Sequence, residues 1–130
     1  MVSKAVARFI RISPRKTRLV ANYIKGKNVG DALAILSNLN KRACVYLEEV
    51  LRSAIANAKR NPDIEENTLY ISKLLVDGGP MLKRFRAGSM GRAMAIRHRT
   101  SHITVELDAV VKAKTKIETK KKRPLLRRRK

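Results

Sequence analysis

Acidic residues are scarce in this chain of 130 residues, which holds 10 Asp and Glu against 31 Lys and Arg and has a formal net charge of +21. Because so few acids cannot neutralise the cations, self-repulsion opposes a compact state unless an anion lies nearby. We therefore expect a polyanion as the partner. The length is that of one ordinary domain.

Cysteines and long apolar runs are also nearly missing. The single cysteine, Cys44, can form no internal disulfide and no paired-cysteine zinc site, which favours a reducing compartment. No apolar run approaches the roughly 20 residues that span a bilayer, and the first residues lack the apolar segment of an export signal. These absences argue against a membrane protein and against an exported protein.

Motifs for catalysis and cofactor binding are lacking as well. The sequence has no phosphate-binding P-loop, no paired-cysteine metal motif and no HExxH zinc motif. For His98 and His102, a phosphate contact or a plain surface role is favoured over general-base chemistry. We expect no enzyme activity, no cofactor, no metal and no small-molecule substrate.

The positive charge is distributed unevenly along the chain. Residues 1–27 carry a net charge of +8 with no acid, residues 77–105 carry +5, and residues 106–130 carry +8. Residues 28–76 hold six basic and six acidic residues and are neutral. This distribution predicts a neutral scaffold that carries three separate basic surfaces.

The spacing of apolar residues predicts three helices and several strands. We expect strands over residues 4–12, 69–76 and 101–108, and helices over 14–24, about 30–38 and about 41–60. Ser13 and Pro14 mark the start of the first helix. Its buried stripe is predicted to be Leu19, Val20, Tyr23 and Ile24, and the core face of the third helix to be Cys44, Leu47, Leu51, Ala54, Ile55 and Ala58.

The strands are expected to differ in burial. Leu69, Ile71 and Leu75 alternate with Tyr70, Leu74 and Val76, which predicts a strand covered on both faces. In residues 101–108 apolar side chains alternate with polar ones, which predicts a strand with one solvent-exposed face.

A segment with no acid after Asp77 joins the last two strands. A connection of more than about 20 residues in a compact domain is usually functional or disordered. Gly88 and Gly91 near its midpoint predict a long hairpin, whose limbs of about ten residues would reach about 30 Å at roughly 3.3 Å per residue. Its cations are interleaved with apolar residues that need cover, and a folded RNA supplies both phosphates and base faces.

Arg15, Lys16 and Arg18 crowd the first turns of the first helix, where the helix dipole makes each cation cost about 0.3–1 kcal/mol. A phosphate there would reverse this cost, because free N–H groups and basic side chains converge on it. An exposed basic face held in place by packing is the alternative. Two Phe, three Tyr and no Trp argue against a platform that stacks successive bases, so we expect recognition of backbone and shape.

Residues 111–130 are rich in Lys and Arg and have no apolar periodicity. Such a segment cannot bury enough surface to order itself, which predicts a tail that is disordered until it meets an anion. An inert solvated run and a nuclear localisation signal are the alternatives.

Several segments together resemble the bacterial and organellar large-subunit ribosomal protein L-twenty-two family over about residues 6–108. They are RLVA with a nearby KG (18–26), SAIANA (53–58), VDGGP followed by KR (76–84), GRA (91–93) and RTSHITV (99–105). The resemblance implies an α+β fold, with three helices packed on a small antiparallel sheet and a long protruding β-hairpin. Together with the charge distribution it predicts one domain over residues 1–110, with the hairpin at about 78–100, followed by a basic C-terminal tail at 111–130 that extends beyond compact members of the family.

In function, the resemblance implies a structural protein of a cytoplasmic or organellar large ribosomal subunit. Such a protein binds rRNA and neighbouring ribosomal proteins, supports assembly and lays its hairpin along the wall of the peptide exit tunnel. The nascent polypeptide would then pass near the hairpin tip, which is Ala87, Gly88, Ser89, Met90 and Gly91. A free nucleic-acid-binding architectural protein or RNA chaperone is the alternative.

The tip departs from the family pattern, because many members carry Pro-Arg-Ala where this chain has Ala87, Gly88 and Ser89. Tunnel interactions attributed to that arginine are therefore not carried over. Lys83, Arg84, Arg97 and Arg99 match basic family positions expected to touch rRNA. The helix-start argument adds Arg15, Lys16 and Arg18 as predicted rRNA contacts. Charge adds Arg8, Arg11, Lys25, Lys27, Arg86, Arg92, His98, Lys120, Lys121, Lys122 and Arg123.

Overall fold

The computed structural model describes residues 1–61 and 64–109, in which three helices cover one face of a three-stranded antiparallel sheet. The elements are β1 (Ser3–Ile10), α1 (Pro14–Ile24), α2 (Val29–Asn38), α3 (Arg42–Ala58), β2 (Leu69–Gly78), β3 (Leu82–Ala87), β4 (Ala93–His98) and β5 (Ser101–Ala109). The sheet order is β1-β5-β2, and β3 pairs only with β4. The predicted α+β class is confirmed.

Helix α1 has the predicted bounds, but its buried face was predicted wrongly in part. Val20 and Ile24 are buried as expected, together with Thr17 and Ala21. Leu19 and Tyr23, however, are 63% and 62% exposed. Positions 17, 20, 21 and 24 share one helical face, so an apolar residue just beside that face need not be buried.

Helix α3 supplies the centre of the core, and every residue predicted for its core face is buried. Its last two turns are rich in small side chains, which lets β1 lie close against it. The Ser3 hydroxyl donates to the Ala54 carbonyl at 2.9 Å, and the Asn57 side-chain amide donates to the Lys4 carbonyl at 3.1 Å. The carboxylate of Glu48 also pairs with Arg52 one turn later, as its spacing predicts.

Strand β2 is covered on one face only, which corrects the prediction of two covered faces. Leu69 and Ile71 are buried, and so are Leu74 and Val76, whereas Leu75 is 40% exposed. The pairing with β5 shifts between Ile71 and Lys73, so one extra residue flips the alternation halfway along the strand. The bulge brings Leu69 and Ile71 to the same, helix-covered side as Leu74 and Val76, whereas sequence alternation alone assigned these two pairs to opposite faces.

Strand β5 is the middle strand and alternates as predicted. Ser101, Ile103, Val105 and Leu107 are buried, and the residues between them are half exposed. At the strand's end the pKa of Asp108 is lowered, because the N-terminal ammonium donates to its carboxylate at 3.0 Å and the Ala109 N–H donates to it as well.

The base of the hairpin is tied to the body at the start of β5. The N–H of Gly79 donates to the Thr100 carbonyl at 2.9 Å, and the Thr100 hydroxyl donates to the Pro80 carbonyl at 2.7 Å. A Cβ at position 79 would lie 2.4 Å from the Thr100 hydroxyl oxygen, so only glycine allows this approach. These two hydrogen bonds fix the point at which the hairpin leaves the sheet.

Strands β3 and β4 pair antiparallel from Leu82 opposite His98 to Ala87 opposite Ala93. At the turn, the Gly88 N–H donates to the Arg92 carbonyl at 2.7 Å, and a Cβ on Gly88 would meet the Met94 side chain at 2.6 Å. All residues of the two strands except Leu82 are exposed. The distance that the hairpin reaches stays a prediction.

Some predictions concern other parts of the chain. The basic tail, with Lys120, Lys121, Lys122 and Arg123, lies outside the residues that the structure describes. Within residues 1–61 and 64–109, no helix is both long enough and apolar enough to cross a membrane.

Replacing Leu47 with Ala should lower the free energy of unfolding by about 2–5 kcal/mol, because this fully buried side chain would leave a cavity at the centre of the core. Val45→Ala is the matched control, since Val45 lies two residues away on the same helix and is 56% exposed. Urea unfolding followed by circular dichroism measures both variants. Equal losses in the two would contradict the assignment of α3 as the core helix.

Candidate nucleic-acid interface

A groove of about 1260 Å³ lies between the start of α1, the link from α2 to α3 and the base of the hairpin. Among the described residues, its lining includes seven lysines and arginines and no carboxylate. The seven are Arg11, Lys16, Lys41, Arg42, Arg84, Arg97 and Arg99. Because four separate chain segments contribute these cations, the fold gathers into one concave surface charges that are far apart in sequence.

Two helix starts contribute to the positive potential of the groove. Lys16 lies in the first turn of α1, and Lys41 and Arg42 lie where α3 begins. Neither helix has an acidic residue in its first turn or a side-chain cap. The unpaired N–H groups of a helix start carry partial positive charge, so they add to that of the side chains.

Lys41 and Arg42 were missed as binding residues by the sequence analysis. They belong to the segment 28–76, whose net charge is zero, and averaging over that segment hid them. The acids that balance them in the count are not among the described residues that line the groove, although Glu48 borders a second, smaller pocket together with Lys41 and Arg42. The sequence nevertheless contains a signal for Lys41 and Arg42. They lie at the start of a predicted helix, and the same pattern of cations at a helix start identifies α1 as a candidate phosphate-binding surface.

The predicted site residues separate into two groups. Arg11, Lys16, Arg84, Arg97, His98 and Arg99 line the groove. The other predicted cations in the described parts of the chain lie outside its lining and are exposed: Arg8, Arg15, Arg18, Lys25, Lys27, Lys83, Arg86 and Arg92.

Arg18 has a structural role that its sequence position did not predict. Its Nε and Nη2 atoms donate to the carbonyl oxygen of Val76 at 3.0 and 2.7 Å, which ties α1 to strand β2. A hydrogen bond from a charged donor contributes more to stability than a neutral one. Two of the five guanidinium donors of Arg18 are therefore already used within the protein.

Lys25 and Lys27 lie at the opposite end of α1 from Lys16. The Gly26 N–H donates to the Ile71 carbonyl, and the Ile71 N–H donates to the Lys27 carbonyl, so the turn after α1 is pinned to β2. An 11-residue helix is about 16 Å long at 1.5 Å per residue, so these two lysines form a separate basic patch.

His102 also has an internal partner. The Phe9 N–H donates to His102 Nδ1 at 2.9 Å, and the two rings meet edge to face with centroids 4.9 Å apart. Phe9 has a positive φ of 59°, at the irregularity where the pairing of β1 with β5 shifts. His102 thus holds a kink in β1, whereas His98 lines the groove.

The hairpin beyond the groove carries cations and uncovered apolar side chains together. Lys83 lies directly opposite Arg97 in the strand pairing, which places two positive charges side by side on one face. Phe85 is 70% exposed, and Met90 at the tip is 94% exposed. Like charges opposite one another destabilise a free hairpin, and an anion between them removes that repulsion.

Carboxylates that form ion pairs within the described parts of the chain are not among the residues that line the groove. Glu106 pairs with Lys4, Glu48 with Arg52, Glu66 with Lys59, and Asp108 with the N-terminus. Over the same residues, no cluster of three or more His, Cys, Asp or Glu side chains could hold a metal ion. The arrangement is suited to binding phosphates.

A comparison with protein-family models gives a match that covers most of the chain. The matching model is described as ribosomal protein L22p/L17e and extends over residues 5–108. The match therefore includes the groove, the hairpin and all but the terminal residues of the three-stranded sheet.

Replacing both Arg15 and Lys16 with Gln should weaken binding to a folded large-subunit rRNA fragment, while helix content and thermal stability stay unchanged or rise slightly. Arg18→Gln should instead lower the free energy of unfolding by about 1 kcal/mol, because it breaks the contact with Val76. Filter binding and thermal unfolding separate the two effects. Unchanged rRNA affinity in the Arg15 and Lys16 double variant would mean that this helix face is only solvated.

Proposed function

Because the chain belongs to the ribosomal protein L22p/L17e family, which consists of structural, rRNA-binding proteins of the large ribosomal subunit, we propose that its groove and hairpin hold separate segments of large-subunit rRNA together. The family places the protein in the ribosome, in contact with rRNA and with other ribosomal proteins of a cytoplasmic or organellar particle. Its role there is structural and not enzymatic.

The observation that carries the proposal is the run of cations from the body onto the hairpin. The groove between them has no carboxylate among the described residues that line it, and residues 82–98 contain no Asp or Glu. A surface that is basic throughout and also carries uncovered apolar side chains fits folded RNA, which offers phosphates, sugars and base faces together.

The proposed rRNA contacts follow from this surface. Arg11, Lys16, Arg84, Arg97, His98 and Arg99 bind in the groove; Lys83, Arg86 and Arg92 bind along the outer hairpin; Arg8, Arg15, Lys25 and Lys27 bind on the body. Arg18 contributes only the donors that Val76 leaves free. On charge alone, Lys120, Lys121, Lys122 and Arg123 bind rRNA in a tail that follows a unit spanning residues 1–110.

The hairpin itself is proposed to lie along the wall of the peptide exit tunnel. Support comes from its exposure on both faces and from its tip, where residues 87–91 carry no charge. An uncharged tip makes no ion pair with phosphates, and it leaves small side chains and the exposed Met90 toward a passing nascent polypeptide.

Support of subunit assembly follows from the same geometry. A protein whose body and hairpin bind different RNA segments lowers the entropic cost of bringing those segments together, in the way that a bivalent ligand does. The alternative, a free nucleic-acid-binding architectural protein or RNA chaperone, would need no lasting incorporation into a particle.

Co-sedimentation distinguishes these two roles. We expect the tagged protein to stay with large ribosomal subunits in a sucrose gradient at about 0.5 M salt, where the Debye length is only a few ångströms and nonspecific phosphate contacts are largely screened. Release from the particles at this salt, with redistribution onto bulk nucleic acid, would contradict a ribosomal structural role and favour the alternative.

Replacing residues 82–96 with an Asn-Gly turn should leave the unfolding midpoint of the body almost unchanged, because in that segment all residues but Leu82 and Gly88 are exposed. The same variant should be incorporated into large subunits less than the wild type, since the hairpin contacts are lost. Thermal unfolding and quantitative mass spectrometry of purified subunits measure the two effects. Full incorporation of the shortened protein would contradict an rRNA-binding role for the hairpin.

A further inference from the structure

We propose that the groove binds a single-stranded segment of rRNA and that one unpaired base of this segment stacks on the ring of Tyr23. The inference deepens the proposed function and rests on it, because it names the form of RNA that the groove takes. The phosphates on either side of the base contact Lys16, Lys41 and Arg42.

The first argument is the apolar surface inside a basic groove. Leu19 and Tyr23 line it together with Lys16, yet they are 63% and 62% exposed. Residues 16, 19 and 23 lie three and four positions apart, so they follow one another along the same face of α1. A cationic helix face that is merely solvated does not need a tyrosine and a leucine uncovered within it.

The second argument is that no part of the described chain covers these two side chains. Val20 and Ile24, beside them on α1, are 4% and 1% exposed, so the core is closed without Leu19 and Tyr23. A ring left uncovered beside cations offers a base one flat face to stack on, and the base in turn covers the apolar surface.

The third argument distinguishes a single strand from a duplex. A double helix presents phosphates to the cations but keeps its base faces inside the stack, so Tyr23 and Leu19 would stay uncovered. An unpaired nucleotide brings a phosphate and a free base face together. The low aromatic content argues only against a row of stacked bases, and one exposed ring is sufficient for one base.

The cations that line the groove come from two parts of the protein, the hairpin base and the body. Arg97 and Arg99 come from the hairpin base, whereas Lys41 and Arg42 come from the body at the start of α3. A strand that lies between them touches both parts of the protein at once. The hairpin direction and the bound strand are then fixed relative to each other.

The stacking arm of the test uses the full chain and two probes: a 12-nucleotide single-stranded RNA and a 12-base-pair RNA duplex containing the same sequence. Tyr23→Leu should weaken single-strand binding by about 5- to 150-fold, the range that corresponds to loss of one stacked base. Its duplex binding should not change. Tyr23→Phe should bind as the wild type does, because the ring and not the hydroxyl makes the contact.

Leu75→Ala is the matched control, since Leu75 is another partly exposed apolar residue but lies on the open face of the sheet. It should leave binding to both probes unchanged. Thermal unfolding of each variant verifies that the fold is intact, and we expect this for Tyr23→Leu because the side chain is exposed.

The charge arm of the test replaces Lys41 and Arg42 with Gln. The slope of log K against log salt for the single strand should fall in magnitude by about 1.4, since each phosphate contact on a single strand contributes about 0.7. The matched control replaces Arg60 and Lys73, which are exposed and outside the groove lining, and it should keep the wild-type slope.

The outcomes separate the inference from the function on which it rests. If Tyr23→Leu binds the single strand as tightly as the wild type, the stacked base is wrong, even where loss of Lys41 and Arg42 still weakens binding. If that double variant keeps the wild-type slope as well, the groove is not an RNA site. If the wild type binds neither probe nor large-subunit rRNA, the proposed function itself fails.

Discussion

Uncompensated positive charge in the groove is the constraint on which the rest of this structure depends. Arg11, Lys16, Lys41, Arg42, Arg84, Arg97 and Arg99 line one concave surface with no carboxylate among them. Charges of one sign interact over a Debye length of about 8 Å at physiological salt, so cations within a single groove repel one another in the free protein. The fold must therefore supply from elsewhere the free energy that holds them together.

That free energy comes from a core that is built apart from the binding surface. The buried faces of α1, α2 and α3 pack on one side of the sheet, and the bulge in β2 turns Leu74 and Val76 toward the same side as Ile71. In the described chain, the acidic residues that form ion pairs with Lys and Arg lie on the sheet and around α3, and none of them lines the groove. As a result, charge can accumulate on the groove and the hairpin without loss of the packing contacts.

The sequence allowed the elements to be predicted, but not how they come together. Helix α1 was predicted with its observed bounds, because Ser13 and Pro14 signal a helix start through local chemistry. The bulge in β2 was missed because unbroken alternation was assumed, although that register places Lys73 on the same face as the buried Leu69 and Ile71. Leu19 and Tyr23 were assigned to the core on residue type, and only the packing of α1 against β2 leaves them outside.

Lys41 and Arg42 were hidden in a neutral segment, because net charge along a sequence does not report which side chains the fold brings to one surface.

At its base the hairpin is held to the body by the hydrogen bonds among Gly79, Pro80 and Thr100, and cations of the hairpin base line the same groove as cations at the start of α3, so they repel one another. In the free protein this repulsion favours any hairpin direction that opens the groove. An RNA strand between the two sides changes the sign of the interaction, because each phosphate attracts both the body and the hairpin base. In the proposed binding mode, the RNA would then act as part of the scaffold that sets the hairpin direction. A hairpin that carries cations along its limbs and none at its tip would consequently be aimed by the same strand that the groove is proposed to bind.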